Sequence, residues 1–282
     1  MSLLWLRVAV LLYGIAALAV LPAALYDRPR WRHIAIPATV AAVLFHFVSL
    51  AETLNAAHRA LPPVFEIATH ETQSLLGLLL SLAFLVVYWR YKTVALGVFL
   101  LPICFLLGLV PAFHPGQQST SSPMFLIPTI HTGWIFLHVA LLLAAYAALL
   151  LSLLASLLYL IQERRLKQKS PTLLWLPLLE TPLEVLDQIA LKALLFGFPC
   201  MTARLLIGSL IAQATVGASY FRDPKILLAF AMWLVYIAMI HIRRIAGLRG
   251  RRAVYLSSFV FFIVLAVWAA NQFSAVHRFK AP

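Results

Sequence analysis

Long apolar runs separated by short polar stretches occupy almost the whole chain. Eight of them lie near 3–26, 34–54, 70–89, 93–112, 129–161, 190–213, 225–243 and 254–276. Each is about 20 residues or longer, the length a helix needs to cross roughly 30 Å of hydrocarbon. None shows the two-residue alternation of a barrel strand. The spacing predicts an all-α, polytopic integral membrane helical bundle of about eight transmembrane helices. Short loops make sequential helices antiparallel neighbours. The bundle is expected to be one continuous membrane domain in two halves, four helices in 1–128 and four in 129–282.

Local signals refine the elements. The first run has an apolar core too long for a signal peptide and is read as a retained span. The fifth run leads into Gln162-Glu163-Arg164-Arg165, which predicts a helix continuing past the membrane surface with its charges solvated. Pro171, Pro177 and Pro182 mark 170–184 as a connector. In Glu184–Lys192, Leu186 and Ile189 alternate with Glu184, Asp187 and Lys192, which predicts an interfacial segment ahead of the sixth span. Pro199 is expected to kink that span. Asp223-Pro224 reads as a cap and first helical residue for the seventh.

Composition agrees with this pattern. Hydrophobic residues make up 63% of the chain, charged residues 11%, and mean hydropathy is +0.95, outside the range of a soluble domain. A net charge of +13 raises the question of nucleic acid, but the basic residues are clustered between apolar runs, where membrane topology places them. Fourteen of the 22 fall in alternate loops, at Arg28–Arg32, Arg90–Lys92, Arg164–Lys169 and Arg243–Arg252. The positive-inside rule makes those loops cytoplasmic and both termini external. Lys192 and Arg204 fall in the sixth span or its approach. Cys104 and Cys200 each lie inside an apolar run and form no disulfide framework.

Candidate chemistry rests on histidine. Of nine, His46, His138, His241 and His277 lie within or just beyond spans, where a polar side chain is costly and faces the bundle interior. Each alone can be a histidine hydrogen-bonded to a neighbouring helix. Together they offer neutral imidazoles as metal ligands. No cysteine or carboxylate cluster completes a closed zinc site, whereas bis-imidazole ligation of haem needs two histidines and apolar walls. Depth divides them into an outer set, His138 and His277, and a deeper set, His46 and His241. His131, seven residues before His138, is a substitute on nearly the same helical face. His33, His58, His70 and His114 fall in loops or at span ends.

The stretches LHVALLLAAYAALLLSLLASLLYLIQERRL at 137–166, LPLLETPLEVLD, GFPCMT, DPK, WLVYIAMIHIRR, GLRGRR and NQFSAVH, in this order, resemble the haem-handling cytochrome c assembly proteins of the CcsA, CcmC and HemX-like type. The resemblance covers about 131–279, and the first four spans are similar only in hydropathy. It implies that His138 and His277 ligate haem at the outer surface on either side of an aromatic loop, and that His241 holds haem within the membrane. His46 corresponds to the other deep histidine by depth and span. In the loop the family runs Gly-x-Tyr-Trp-x-Trp-Asp-Pro-Lys-Glu. Counted from Gly217, this chain has Tyr220 and Arg222 in the tryptophan places, keeps Asp223, Pro224 and Lys225, and has Ile226 for the glutamate. Tyr220 and Phe221 can supply apolar surface to a porphyrin, and Arg222 or Lys225 can pair with a propionate.

The resulting expectation is a multi-pass protein of the bacterial cytoplasmic (inner) membrane that binds b-type haem non-covalently through histidine pairs. It would relay haem outward and present it to apocytochrome c. It is expected to be a haem chaperone and not an enzyme, any haem lyase activity needing a second membrane assembly subunit. Its other surroundings are lipid, not nucleic acid. The departure in the loop supports an alternative, a HemX-like regulatory or scaffolding membrane protein of haem metabolism that does not deliver haem and acts through cytoplasmic surfaces such as Arg243–Arg252. A small-solute transporter fits less well, because the spans lack a midplane break and a charged pathway.

Overall fold

The computed structural model describes residues 2–25, 29–59, 69–113, 132–168, 181–216 and 224–245, with Tyr255 and Phe259. Among the described residues there is no strand. The helices are α1 (Ser2–Leu25), α2 (Pro29–Arg59), α3 (Thr69–Tyr91), α4 (Gly97–Phe113), α5 (Thr132–Gln168), α6 (Leu183–Val216) and α7 (Pro224–Ile245). Six are long and apolar enough to cross a membrane, and α4, with 17 residues, is a shorter apolar helix. In lipid every backbone N–H and C=O must be satisfied internally, which a helix does within one segment. The chain is therefore an all-α, multi-pass membrane protein. The predicted eighth span lies outside the described residues apart from Tyr255 and Phe259, both helical.

Two expectations are corrected. The segment Glu184–Lys192 is not separate from the sixth span, because α6 runs without a break for 34 residues. Leu186, Ile189, Ala190, Ala193 and Leu194 are all buried, so the inward face continues straight through the predicted boundary while Lys192 is exposed. The fourth helix begins four residues late, at Gly97. Lys92 takes a left-handed φ of 56° and its N–H bonds the Tyr88 carbonyl at 2.7 Å, which ends α3 and starts a turn.

The chain divides into two compact units. One comprises 1–119 with 161–186, the other 120–160 with 187–282. In the first, α1 packs on α2 and α4, and α3 packs on α4 and α2. Small buried residues, Ala9, Ala16, Ala19 and Ala23, let α1 approach its neighbours closely, while Leu11, Ile15 and Leu18 on its other side remain exposed as a lipid-facing surface.

In the second unit, Ala145 and Leu149 of α5, Leu194 and Met201 of α6, and Met232, Tyr236 and Met239 of α7 form a buried core. The spacing 232, 236, 239 is one helical face. A Cβ on Gly197 would run into the Tyr236 hydroxyl and come within 3.0 Å of Ala148 Cβ, so the missing side chain is what lets α5, α6 and α7 meet at that level. At the other end of the core, Trp233 Nε1 donates to Thr202 Oγ1 at 3.0 Å, and its ring stacks on Phe198 with centroids 6.3 Å apart.

Candidate functional site

The predicted ligands fall in different surroundings. His138 lies six residues into α5, roughly 9 Å from its first residue. Its Nδ1 is 3.0 Å from the carbonyl oxygen of Arg204 on α6. A carbonyl can only accept, so Nδ1 carries the proton and Nε2 keeps its lone pair. Metal-ligating histidines are fixed in this way, the second ring nitrogen donating to a carbonyl so that tautomer and orientation are set in advance. The ring rests on Gly208, where a Cβ would come within 2.6 Å of His138 Cε1.

His46, in the first unit, is buried in α2. Its Nε2 is 2.7 Å from Ser74 Oγ and its Nδ1 3.3 Å from the Tyr13 hydroxyl, which in turn is 2.8 Å from Ser81 Oγ. Both ring nitrogens are thus engaged, and binding iron through either one would displace a hydroxyl. The Tyr13–His46 rings also meet edge-on, with centroids 5.9 Å apart. Tyr13, Ser74 and Ser81 gave no signal in the sequence beyond being polar residues in apolar runs.

His241 is exposed near the C-terminal end of α7. Along the helices of the second unit, from the His138–Gly208 contact to Gly197–Tyr236 and on to His241, the two histidines are separated by roughly 24 Å. They cannot share one iron. His277 and the loop residues Tyr220, Phe221, Arg222 and Asp223 lie outside the described residues, as does the side chain of Lys225, whose backbone is the second residue of α7. Pro224 opens that helix. Among the described residues no group of three or more His, Cys, Asp or Glu could hold a metal ion.

Arg243, read from the sequence as part of a cytoplasmic basic surface, is instead buried and bonded to Asp187 Oδ1 on α6 at 2.6 Å.

Comparison with known proteins adds a family. The cytochrome C assembly protein family matches residues 67–270, about seven-tenths of the chain. That is wider than the 131–279 over which motifs were found, and takes in α3 and α4. It contains His138 and His241, whereas His46 and His277 fall outside it. A cytochrome c biogenesis protein CcsA of Heterosigma akashiwo is 28% identical over 234 residues, covering 72% of each chain. One of Guillardia theta is 28% identical over 221 residues, 71% of each. One of Prochlorococcus marinus is 28% identical over 183 residues, 57% of each. No solved structure gives a significant match.

Proposed function

The chain belongs to the cytochrome c assembly protein family, and from that premise we propose that it is a haem chaperone of cytochrome c biogenesis. It holds b-type haem non-covalently through imidazoles, with His138 and His277 as the pair near the outer face, and presents it to apocytochrome c. The observation that carries this reading is the Nδ1–carbonyl bond of His138, which fixes the tautomer so that the Nε2 lone pair is available to iron. The imidazoles keep the iron coordinated and orient the porphyrin so that its vinyl groups are open to a partner's thiols. Tyr220 and Phe221 would supply apolar surface to the porphyrin, and Arg222 or Lys225 would pair with a propionate. Among the described residues no side chain is placed as a strong general acid or base, and in this reading thioether formation falls to a partner subunit. The setting is a bacterial cytoplasmic membrane with both termini outside.

The test is the visible spectrum of detergent-purified protein supplied with haem. The wild type is expected to show a Soret band and, when reduced, the sharp α-band of bis-imidazole iron. His138→Ala should lose most of it, with partial recovery on adding free imidazole. A wild-type preparation that takes up no haem rules the reading out. The second reading is a HemX-like scaffold, favoured by Tyr220 and Arg222 standing where the family has tryptophans. Under it, His138→Ala and His277→Ala leave the protein's contribution to haem metabolism intact.

A further inference from the structure

Arg204 is a cation inside an apolar helix with nothing negative to pair with among the described residues. It lies seven residues beyond Gly197, on the face of α6 that carries Leu194, Met201 and Gly208 and packs on α5. Its Nε is fully enclosed and makes no hydrogen bond, and its Nη1 reaches only the sulfur of Met201 at 3.7 Å, a weak acceptor. The ionisable groups beside it are the phenol of Tyr146 and the imidazole of His138, neither of which is an anion at neutral pH. Within 120–160 and 187–282 the sequence contains only two carboxylate side chains, Asp187 and Asp223. Asp187 is 17 residues away on the same helix, roughly 25 Å, and is already bonded to Arg243. A guanidinium with an enclosed Nε and no anionic partner among the described residues is expensive to keep in a membrane span, and such residues mark ligand sites.

Its position says which ligand. The backbone carbonyl of Arg204 is the acceptor that fixes His138, so the candidate iron ligand and the unpaired guanidinium belong to the same turn of α6. The geometry points to Arg204 as the residue that binds a propionate carboxylate of the haem ligated by His138, making the site selective for porphyrins with free acid groups. This rests on the proposed haem-binding function. Arg suits the task because its planar fork binds a carboxylate through two parallel hydrogen bonds, which fixes the rotation of the macrocycle about the iron–imidazole axis. The Nε, which makes no hydrogen bond, and Nη2 form the edge of the guanidinium that would supply that fork. A lipid phosphate is the rival anion, and it would leave porphyrin acid groups without effect on binding.

The test compares haem with its dimethyl ester, which removes both negative charges and keeps the iron and the ring. Soret titrations are made in detergent on the wild type, Arg204→Gln and Arg204→Lys. The wild type is expected to bind the free acid at least roughly tenfold more tightly than the ester, the scale of one charge-assisted hydrogen bond. Arg204→Gln should bring the two ligands to within about twofold while keeping the bis-imidazole spectrum, and Arg204→Lys should retain part of the preference. Equal affinities in the wild type overturn the assignment, as does a full preference surviving in Arg204→Gln, which would move propionate binding to Arg222 or Lys225. In both cases the Soret band persists and the haem-binding reading stands. If the wild type binds neither porphyrin, that reading fails first and takes this one with it. Should Arg204→Gln not fold, the wild-type ester comparison and Arg204→Lys still decide.

Discussion

Gly208 carries no Cβ, and the ring of His138 occupies the space that one would fill. A methyl placed there would sit 2.6 Å from Cε1, 3.1 Å from Nδ1 and 3.6 Å from Nε2, so the ring would have to rotate away and its bond to the Arg204 carbonyl would break. Two effects oppose each other in Gly208→Ala. Alanine favours the helix by about 1 kcal/mol, and overpacking costs about 1–3 kcal/mol. Global stability should therefore change little, while the iron ligand loses its orientation. The expected outcome is a melting temperature within a few degrees of the wild type and haem affinity reduced severalfold. Gly133→Ala, at a position with nothing within 4 Å, should leave both unchanged and serves as the control. Wild-type haem affinity in Gly208→Ala would show that the ring's seat is irrelevant to binding. The sequence made His138 legible because a histidine within an apolar run stands out. It could not make Gly208 legible, since a glycine in such a run reads only as a tolerated interruption and its purpose depends on what the neighbouring helix brings against it.

The helices themselves were legible from run length, since a segment that must satisfy its own backbone in lipid has few alternatives to a helix. Their junctions were less so. Polar residues at Glu184, Asp187 and Lys192 looked like a surface segment, but Asp187 is polar because it meets Arg243, and Lys192 faces away from the core while Leu186, Ile189 and Leu194 carry the packing. The pairing of α6 with α7 through that bond makes an asymmetric prediction. The Arg243 side chain is 3% exposed and the Asp187 side chain 22%. Asp187→Ala strands a buried guanidinium and should cost about 3 kcal/mol, the lower end of the range for breaking a buried pair because Asp187 retains some solvent. Arg243→Met removes the buried charge itself, leaves a carboxylate that can still reach water, and should cost about 1 kcal/mol or less. Thermal unfolding in detergent separates the two variants. Equal losses would mean that the pair acts through packing alone. The same burial removes Arg243 from any cytoplasmic docking surface, which weakens the scaffold reading of that basic stretch.

Orientation in the membrane belongs to the chain as a whole, because no single loop decides it. The basic residues do so collectively: Arg164, Arg165, Lys167 and Lys169 gather at one end of α5, while 113–131, ahead of its other end, contains no lysine or arginine. The energetics of insertion keep such clusters on the cytoplasmic side. His138 is six residues from the uncharged end of α5, so external presentation of haem requires that end to be outside. Single-cysteine labelling tests this directly, once Cys104 and Cys200 have been replaced. An impermeant maleimide should modify Ser121→Cys in sealed cells, and Lys169→Cys only after the membrane is opened. The opposite result would put the His138 end of α5 in the cytoplasm. Haem held there could not meet an apocytochrome on the outer face, and the chain would have to act on haem before export, whatever the spectra of the purified protein showed.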